Sequence, residues 1–259
     1  MSGTKIAGDF LSLLAEQKLL PSDAAPSGGA PVQTQATTVF AFHFAEGVLM
    51  AGDRRATAGN VIVTDRVEKI LEVDSTSLLA IAGVPATAFE MARTLQTAFE
   101  FYRRSQLQSM SLQARLRALS RLLHENLPAT LQGVGAVSPL FAGSEPADPD
   151  AKPGIWFYDP LGAQFEAAAF ASSGSGSGTI RSVLHYLQSW GRPKPAELPL
   201  PQAVVLANRL LMTAAEFDTA TGGVHPEQRE FATIRLLSAK GIQAVSQDEQ
   251  ARFWREANR

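Results

Sequence analysis

The sequence predicts an α+β domain in which antiparallel sheets are layered between pairs of helices. Three observations carry this. Runs rich in β-branched and aromatic residues begin after residue 36, the apolar period changes from two to 3.6 after Gly83, and the order then reads strands, two helices, strands, two helices, strands. No internal repeat and no second folded domain is evident.

Taken in order, Asp9 can cap a short amphipathic helix carrying Phe10, Leu13, Leu14 and Leu20, which Pro21 ends. From there to Ala36 the chain is Ser, Ala, Gly, Pro and Gln with little to bury, which predicts a flexible connector and makes residues 1–36 an attached leader. Asp9, Glu16 and Lys18 interrupt the leader's apolar patch, so it does not resemble an export signal.

Strands are expected over residues 37–43 and 48–53, joined through Ala45-Glu46-Gly47 as a hairpin. A polar loop, residues 54–60, leads to short strands at 61–64, 69–73 and 78–82. If the second of these is regular, Val67, Lys69 and Leu71 share one face, which would flank a lysine with apolar neighbours. Ala88, Met91, Ala92, Leu95, Ala98, Phe99 and Tyr102 then mark one helix face, and Leu112, Leu116, Leu119, Leu123 and Leu127 a second. Strands return at 137–142, 155–159 and 164–170. The glycine-serine run 172–178 opens a helix with Ile180, Val183, Leu184 and Leu187, a Pro-punctuated link precedes a helix over 204–217, and a hairpin of 231–237 with 242–245 closes the chain.

Composition removes several function classes. Lys+Arg 23 against Asp+Glu 25 gives a formal charge of −2, which predicts neither a nucleic-acid surface nor an electrostatic hold on membranes. The absence of cysteine removes disulfides, thiolate metal sites and cysteine nucleophiles, and fits a reducing cytoplasm. No apolar run reaches the roughly 18 residues that span a bilayer. The histidines His43, His124, His185 and His225 show no metal-ligand spacing, so no metal is expected. The run Gly174-Ser175-Gly176-Ser177-Gly178 is not a nucleophile elbow, because glycine stands where the serine would be. It is nearer to a phosphate-binding turn, but it lacks the GxGxxG spacing and a following lysine.

What survives is a threonine that cleavage could expose, a lysine, and Asp, Ser and Gly residues able to surround them. An N-terminal threonine holds both nucleophile and base, because its hydroxyl attacks while its own α-amine takes the proton. That amine titrates near about 7.7 to 8.0, whereas the amide nitrogen of an uncleaved chain is not basic. A leader therefore enforces inactivity.

Thr37-Thr38-Val39, then Gly52-Asp53-Arg54-Arg55-Ala56-Thr57, Lys69, Ala82-Gly83, Gly174-Ser175-Gly176-Ser177 and Asp218-Thr219-Ala220-Thr221-Gly222-Gly223 resemble, in order and separation, proteasome core-particle β subunits, nearest to the bacterial type. The resemblance covers nearly the whole chain from Thr37 onward. It implies the N-terminal-nucleophile hydrolase fold, a four-layer αββα sandwich, and a threonine endopeptidase made as a self-cleaving precursor, with residues 1–36 as propeptide and 37–259 as peptidase domain.

Residue by residue, the resemblance makes Thr37 the nucleophile and its freed amine the base, Lys69 the cationic partner, and Asp53 the carboxylate that holds Lys69. The Gly83 N–H would form the oxyanion hole, and Ser175, Asp218 and Thr221 the polar network around the amine, with Thr221 standing where many relatives have serine. Thr57 would pair with the substrate backbone, while Ala56, Val67, Ile81 and Pro85 would wall a pocket suited to hydrophobic side chains. Ala36 precedes the scissile bond where glycine is usual, which is expected to slow processing without abolishing it.

The partners so implied are other copies of the chain in stacked heptameric β rings, α-subunit rings, an ATPase regulator acting through them, and unfolded protein substrates. Neither cofactor nor metal is required. The other classes to weigh are a non-catalytic ring subunit, a hexameric proteasome-like peptidase and a small-molecule amidase of the same fold.

Overall fold

A computed structural model describes residues 34–36, 38–58, 61–145, 148 and 151–259. The helix expected near Asp9, the connector as far as residue 33, and Thr37 lie outside the described residues.

Two five-stranded antiparallel sheets face one another. The first has the order β11 (Phe170–Gly174), β2 (Thr38–Phe44), β3 (Gly47–Gly52), β12 (Thr233–Ser238), β13 (Gly241–Ala244). The second runs β10 (Gln164–Ala167), β9 (Gly154–Tyr158), β8 (Leu140–Gly143), β7 (Ser77–Ala80), β6 (Ile70–Asp74). A three-stranded ribbon, β1 (Thr34–Ala36), β4 (Ala56–Ala58), β5 (Val61–Thr64), completes the strands.

Period-two alternation explains the layering. In β2, Val39 and Ala41 join Met50, Ile70, Leu78, Leu140 and Ile155 in an apolar layer between the sheets. Phe40 and Phe42 point the other way, onto Ile180 and Leu184 of α4 (Ser177–Trp190) and Leu210 and Leu211 of α5 (Leu200–Phe217). Both faces of β2 are covered, so it reads as a continuous apolar run. On the far side, Leu79, Phe141 and Trp156 pack against Leu95 and Phe99 of α1 (Pro85–Gln106) and Leu116 and Leu119 of α2 (Leu112–Glu125). The result is helices, sheet, sheet, helices.

Several expected boundaries need correction. The single strand expected over 164–170 is two strands in different sheets, because β10 pairs with β9 and β11 with β2. Alternation within one run cannot reveal a change of partner sheet. Residues 56–58, expected in a loop, form β4 between β1 and β5. The second helix stops before Leu127: Pro128 has no N–H and its ring would crowd the preceding turn, and the Asn126 amide donates to Gly135 O at 2.8 Å. A short helix α3 (Leu127–Leu131) follows.

Lys69 precedes β6 instead of lying within it, so Val67, Lys69 and Leu71 do not form one strand face. The chain closes on a helix, α6 (Gln247–Ala257), not on a hairpin. Its start is a capping box, with the Ser246 hydroxyl accepting from Glu249 N and the Glu249 carboxylate accepting from Ser246 N.

Arg115 of α2 is fully buried and ties that helix to the β6–β7 turn. Its Nη1 donates to Asp74 Oδ2 at 3.2 Å, to Thr76 Oγ1 at 2.8 Å and to Ser77 Oγ, and its Nη2 to Ser144 O at 2.5 Å. Removing one partner of such a cluster strands the others. Arg115→Met is expected to cost about 3 kcal/mol of stability, read as a lower midpoint in chemical denaturation with no change in the slope of the transition.

Candidate active site

One end of the sandwich collects the start of β2, the end of β3, the end of β11, the start of α4 and the end of α5. Asp53 follows β3 directly, Lys69 precedes β6, and both are buried. Lys69 Nζ donates to Asp53 Oδ1 at 2.6 Å and to the Arg55 carbonyl at 2.6 Å. An ammonium has three hydrogens, and among the described residues the third has no acceptor. Burial pushes the Lys69 ammonium down, more than the adjacent Asp53 carboxylate pushes it up.

Asp53 is held on both oxygens. Oδ1 also accepts from Thr38 N at 2.9 Å, and Oδ2 accepts from Arg55 N at 2.9 Å and Gly222 N at 2.8 Å. In return, Asp53 N donates to Thr38 O at 3.1 Å. The carboxylate thus grips the peptide bond that joins residues 37 and 38, because the Thr38 nitrogen belongs to it.

A second polar group lies beside the first. Ser175 Oγ donates to Asp218 Oδ2 at 2.6 Å, and Thr221 Oγ1 donates to the same oxygen at 2.5 Å. Burial pushes the Asp218 carboxyl up, but hydrogen bonds from Ser175, Thr221 and the Ala220 amide, with the Lys69 charge, outweigh it and hold the carboxyl below its ordinary value. Asp218 caps the end of α5 and turns the chain so that Thr221 N bonds back to Asp218 O at 3.1 Å.

Gly83 has φ of +115°, and a Cβ there would lie 2.2 Å from the Ala136 carbonyl oxygen. Only glycine fits. The bridge to Val137 is made by its neighbours, Val84 N to Ala136 O and Ser138 N to Ala82 O. That leaves the Gly83 N–H without a partner among the described residues, as an anion-binding amide requires.

The structure therefore brings Asp53 and Lys69 together, and Ser175, Asp218 and Thr221 together. Thr57 and Ala56 lie on β4, where Gln35 pairs with Thr57 and Ala36 with Ala56. Val67 and Pro85 are half-buried, while Ile81 packs within the helix-side core. The sequence reading missed three contributors. Thr38 is fully buried, its hydroxyl accepting from Gly176 N at 3.0 Å and lying 2.5 Å from Thr221 Oγ1. Arg55 and Gly222 act through backbone groups. Backbone donors leave no side-chain signal, and a β-branched residue opening a strand looks like any pleat residue.

Comparison with known proteins decides the family. A family model described as a proteasome subunit matches residues 33–225. The chain belongs to the proteasome subunit family. The proteasome subunit beta of Acidothermus cellulolyticus is 35% identical over 93% of this chain and 81% of its own length. The proteasome subunit beta 2 of Thermomonospora curvata is 37% identical over 96% of this chain and 86% of its own. The proteasome subunit beta of Streptomyces griseus subsp. griseus is 32% identical over 96% and 87%. Membership of the proteasome family carries with it the N-terminal-nucleophile hydrolase fold, a peptidase class of chemistry in protein degradation, and assembly with other proteasome subunits. Among the described residues no helix is long and apolar enough to cross a membrane.

Proposed function

We propose that this chain is a threonine endopeptidase subunit of a proteasome that degrades unfolded proteins, made as a precursor that removes its own residues 1–36. The observation that carries the reading is the grip of the buried Lys69–Asp53 pair on the backbone nitrogen of Thr38, at 2.9 Å from Asp53 Oδ1. This fixes the peptide unit next to Thr37 beside a desolvated cation that uses two of its three donors among the described residues. A lysine taken out of water beside a specific carboxylate is a pattern found at functional sites.

In the precursor, Thr37 Oγ attacks the Ala36 carbonyl. The acyl group moves from the Thr37 nitrogen to its oxygen, and water then cleaves the ester to leave a free amine and a free hydroxyl. In the mature chain that amine takes the hydroxyl proton as Oγ attacks a substrate carbonyl, and returns it to the leaving amine; water hydrolyses the acyl-enzyme. Lys69 stabilises the attacking oxygen as the hydroxyl proton leaves, and Asp53 holds Lys69. The Gly83 N–H meets the developing oxyanion. Asp218, with Ser175 and Thr221, steadies the amine.

Pairing of residues 34–36 with β4 supports the same reading for substrate. The segment before the scissile bond lies antiparallel to the strand bearing Thr57, and a substrate segment takes that edge once the leader has gone. Ala56, Val67, Ile81 and Pro85 then set a preference for hydrophobic side chains. Stacked heptameric β rings of this chain, capped by α rings that receive an ATPase regulator, would enclose the sites in the cytoplasm.

A threonine-directed covalent inhibitor followed by peptide mass mapping tests the assignment. The expected adduct lies on Thr37. Absence of an adduct contradicts it and favours a non-catalytic ring subunit; an adduct on another residue contradicts it by pointing to another nucleophile.

A further inference from the structure

We infer that Thr38 is a positioning residue: its buried hydroxyl donates to Thr221 Oγ1, restrains Thr221 while that residue donates to Asp218, and so presents the remaining acceptor position of Thr221 to the reacting amine. The inference rests on the reading of Thr37 as nucleophile and adds to it a residue that does not touch substrate.

Hydrogen counting sets the direction. A hydroxyl carries one hydrogen and two acceptor positions. Thr221 donates its hydrogen to Asp218 Oδ2 at 2.5 Å, and the carboxylate has none to give back. The hydrogen in the 2.5 Å contact between Thr38 Oγ1 and Thr221 Oγ1 therefore comes from Thr38. Thr38 is itself oriented by the Gly176 amide, which donates to Thr38 Oγ1 at 3.0 Å. The chain runs one way, from Gly176 N–H through Thr38 and Thr221 to Asp218.

Thr221 is left with one acceptor position, which suits an ammonium N–H and refuses a hydroxyl rotor pointing the wrong way. Without Thr38 as donor, only Asp218 restrains the Thr221 hydroxyl. Directed chains of this kind strengthen each link. Packing around the pair is close. A Cβ on Gly176 would stand 2.5 Å from Thr221 Oγ1 and 2.7 Å from Thr38 Oγ1, so glycine is needed there for the two hydroxyls to meet. Thr38 is also pinned through its backbone to Asp53 in both directions, N to Oδ1 and O from N. It touches both groups, Asp53 through its backbone and Thr221 through its hydroxyl, alongside the link that Gly222 N makes to Asp53 Oδ2.

The test compares Thr38→Val, Thr38→Ser and Thr221→Val, alone and combined, in the assembled protein. Rates of peptide hydrolysis are expressed per threonine labelled by the covalent inhibitor, which removes the effect of incomplete folding or processing. Thr38→Val is expected to lower kcat about tenfold with KM unchanged, Thr38→Ser to restore it, and Thr38→Val to add nothing further once Thr221→Val is present. Should Thr38→Val not assemble, Thr38→Ala against Thr38→Ser gives the same comparison. An unchanged kcat per labelled site, failure of serine to restore it, or additive effects of the two substitutions overturns the inference. Hydrolysis that survives Thr37→Ala would instead overturn the assignment of the nucleophile, whatever Thr38 does.

Discussion

Thr37→Ala is expected to abolish release of residues 1–36 and to reduce peptide hydrolysis by more than about 10⁵-fold, to background. The neighbouring hydroxyl cannot stand in. Thr38 is fully buried, and its oxygen is engaged by Gly176 N and Thr221 Oγ1. Ser175 lies on the exposed side but is tied to Asp218, and it has no α-amine of its own to act as base. Fold and assembly are expected to survive, since the substitution deletes only one hydroxyl and one methyl group. The measurement is hydrolysis of a fluorogenic peptide by the assembled variant, beside its subunit mass. Retained hydrolysis would mean that another nucleophile operates.

The second large effect is expected at Lys69. Lys69→Ala leaves the Asp53 carboxylate buried with amide donors and no cation, an arrangement that costs about 3–5 kcal/mol. It also removes the charge proposed to assist Thr37, so hydrolysis should fall about 10³-fold in whatever protein assembles. Lys69→Arg is not expected to rescue it: the guanidinium is bulkier, and its planar fork does not reproduce the two 2.6 Å contacts that the fully buried Nζ makes.

A pH signature accompanies the loss. Burial lowers the Lys69 ammonium below its ordinary range, so between the folded and unfolded values the unfolded chain binds more protons. The contribution of this group to stability therefore rises as pH climbs through that interval. Lys69→Ala should flatten the rise, which denaturation midpoints across the alkaline range would record. An unchanged profile contradicts the burial-driven shift.

Much of the layered fold could be read from the sequence because alternation and helical period are local properties. The change near Gly83 correctly separates β7 from α1, and the leucine stripe from 112 to 123 is the buried face of α2. What could not be read depends on partners. Residues 164–170 carry no sign that the chain leaves one sheet for the other, and β4 is a strand only because β1 and β5 flank it. The closing helix was legible in principle from Ser246 and Glu249, but it is short and its apolar face, Ala251 and Phe253, is narrow.

The site divides in the same way. Asp53, Lys69, Ser175, Asp218 and Thr221 stand out as polar residues in recognisable surroundings. Thr38 did not, because its significance lies in which hydroxyl faces it across 183 residues of chain.

The most direct measurement is the intact mass and N-terminal sequence of the subunit from protein co-expressed and assembled with the proposed α partner. A chain consisting of residues 37–259, with threonine at its N-terminus, is the predicted result. A full-length chain persisting in an active assembly, or an N-terminus at any other residue, would contradict it.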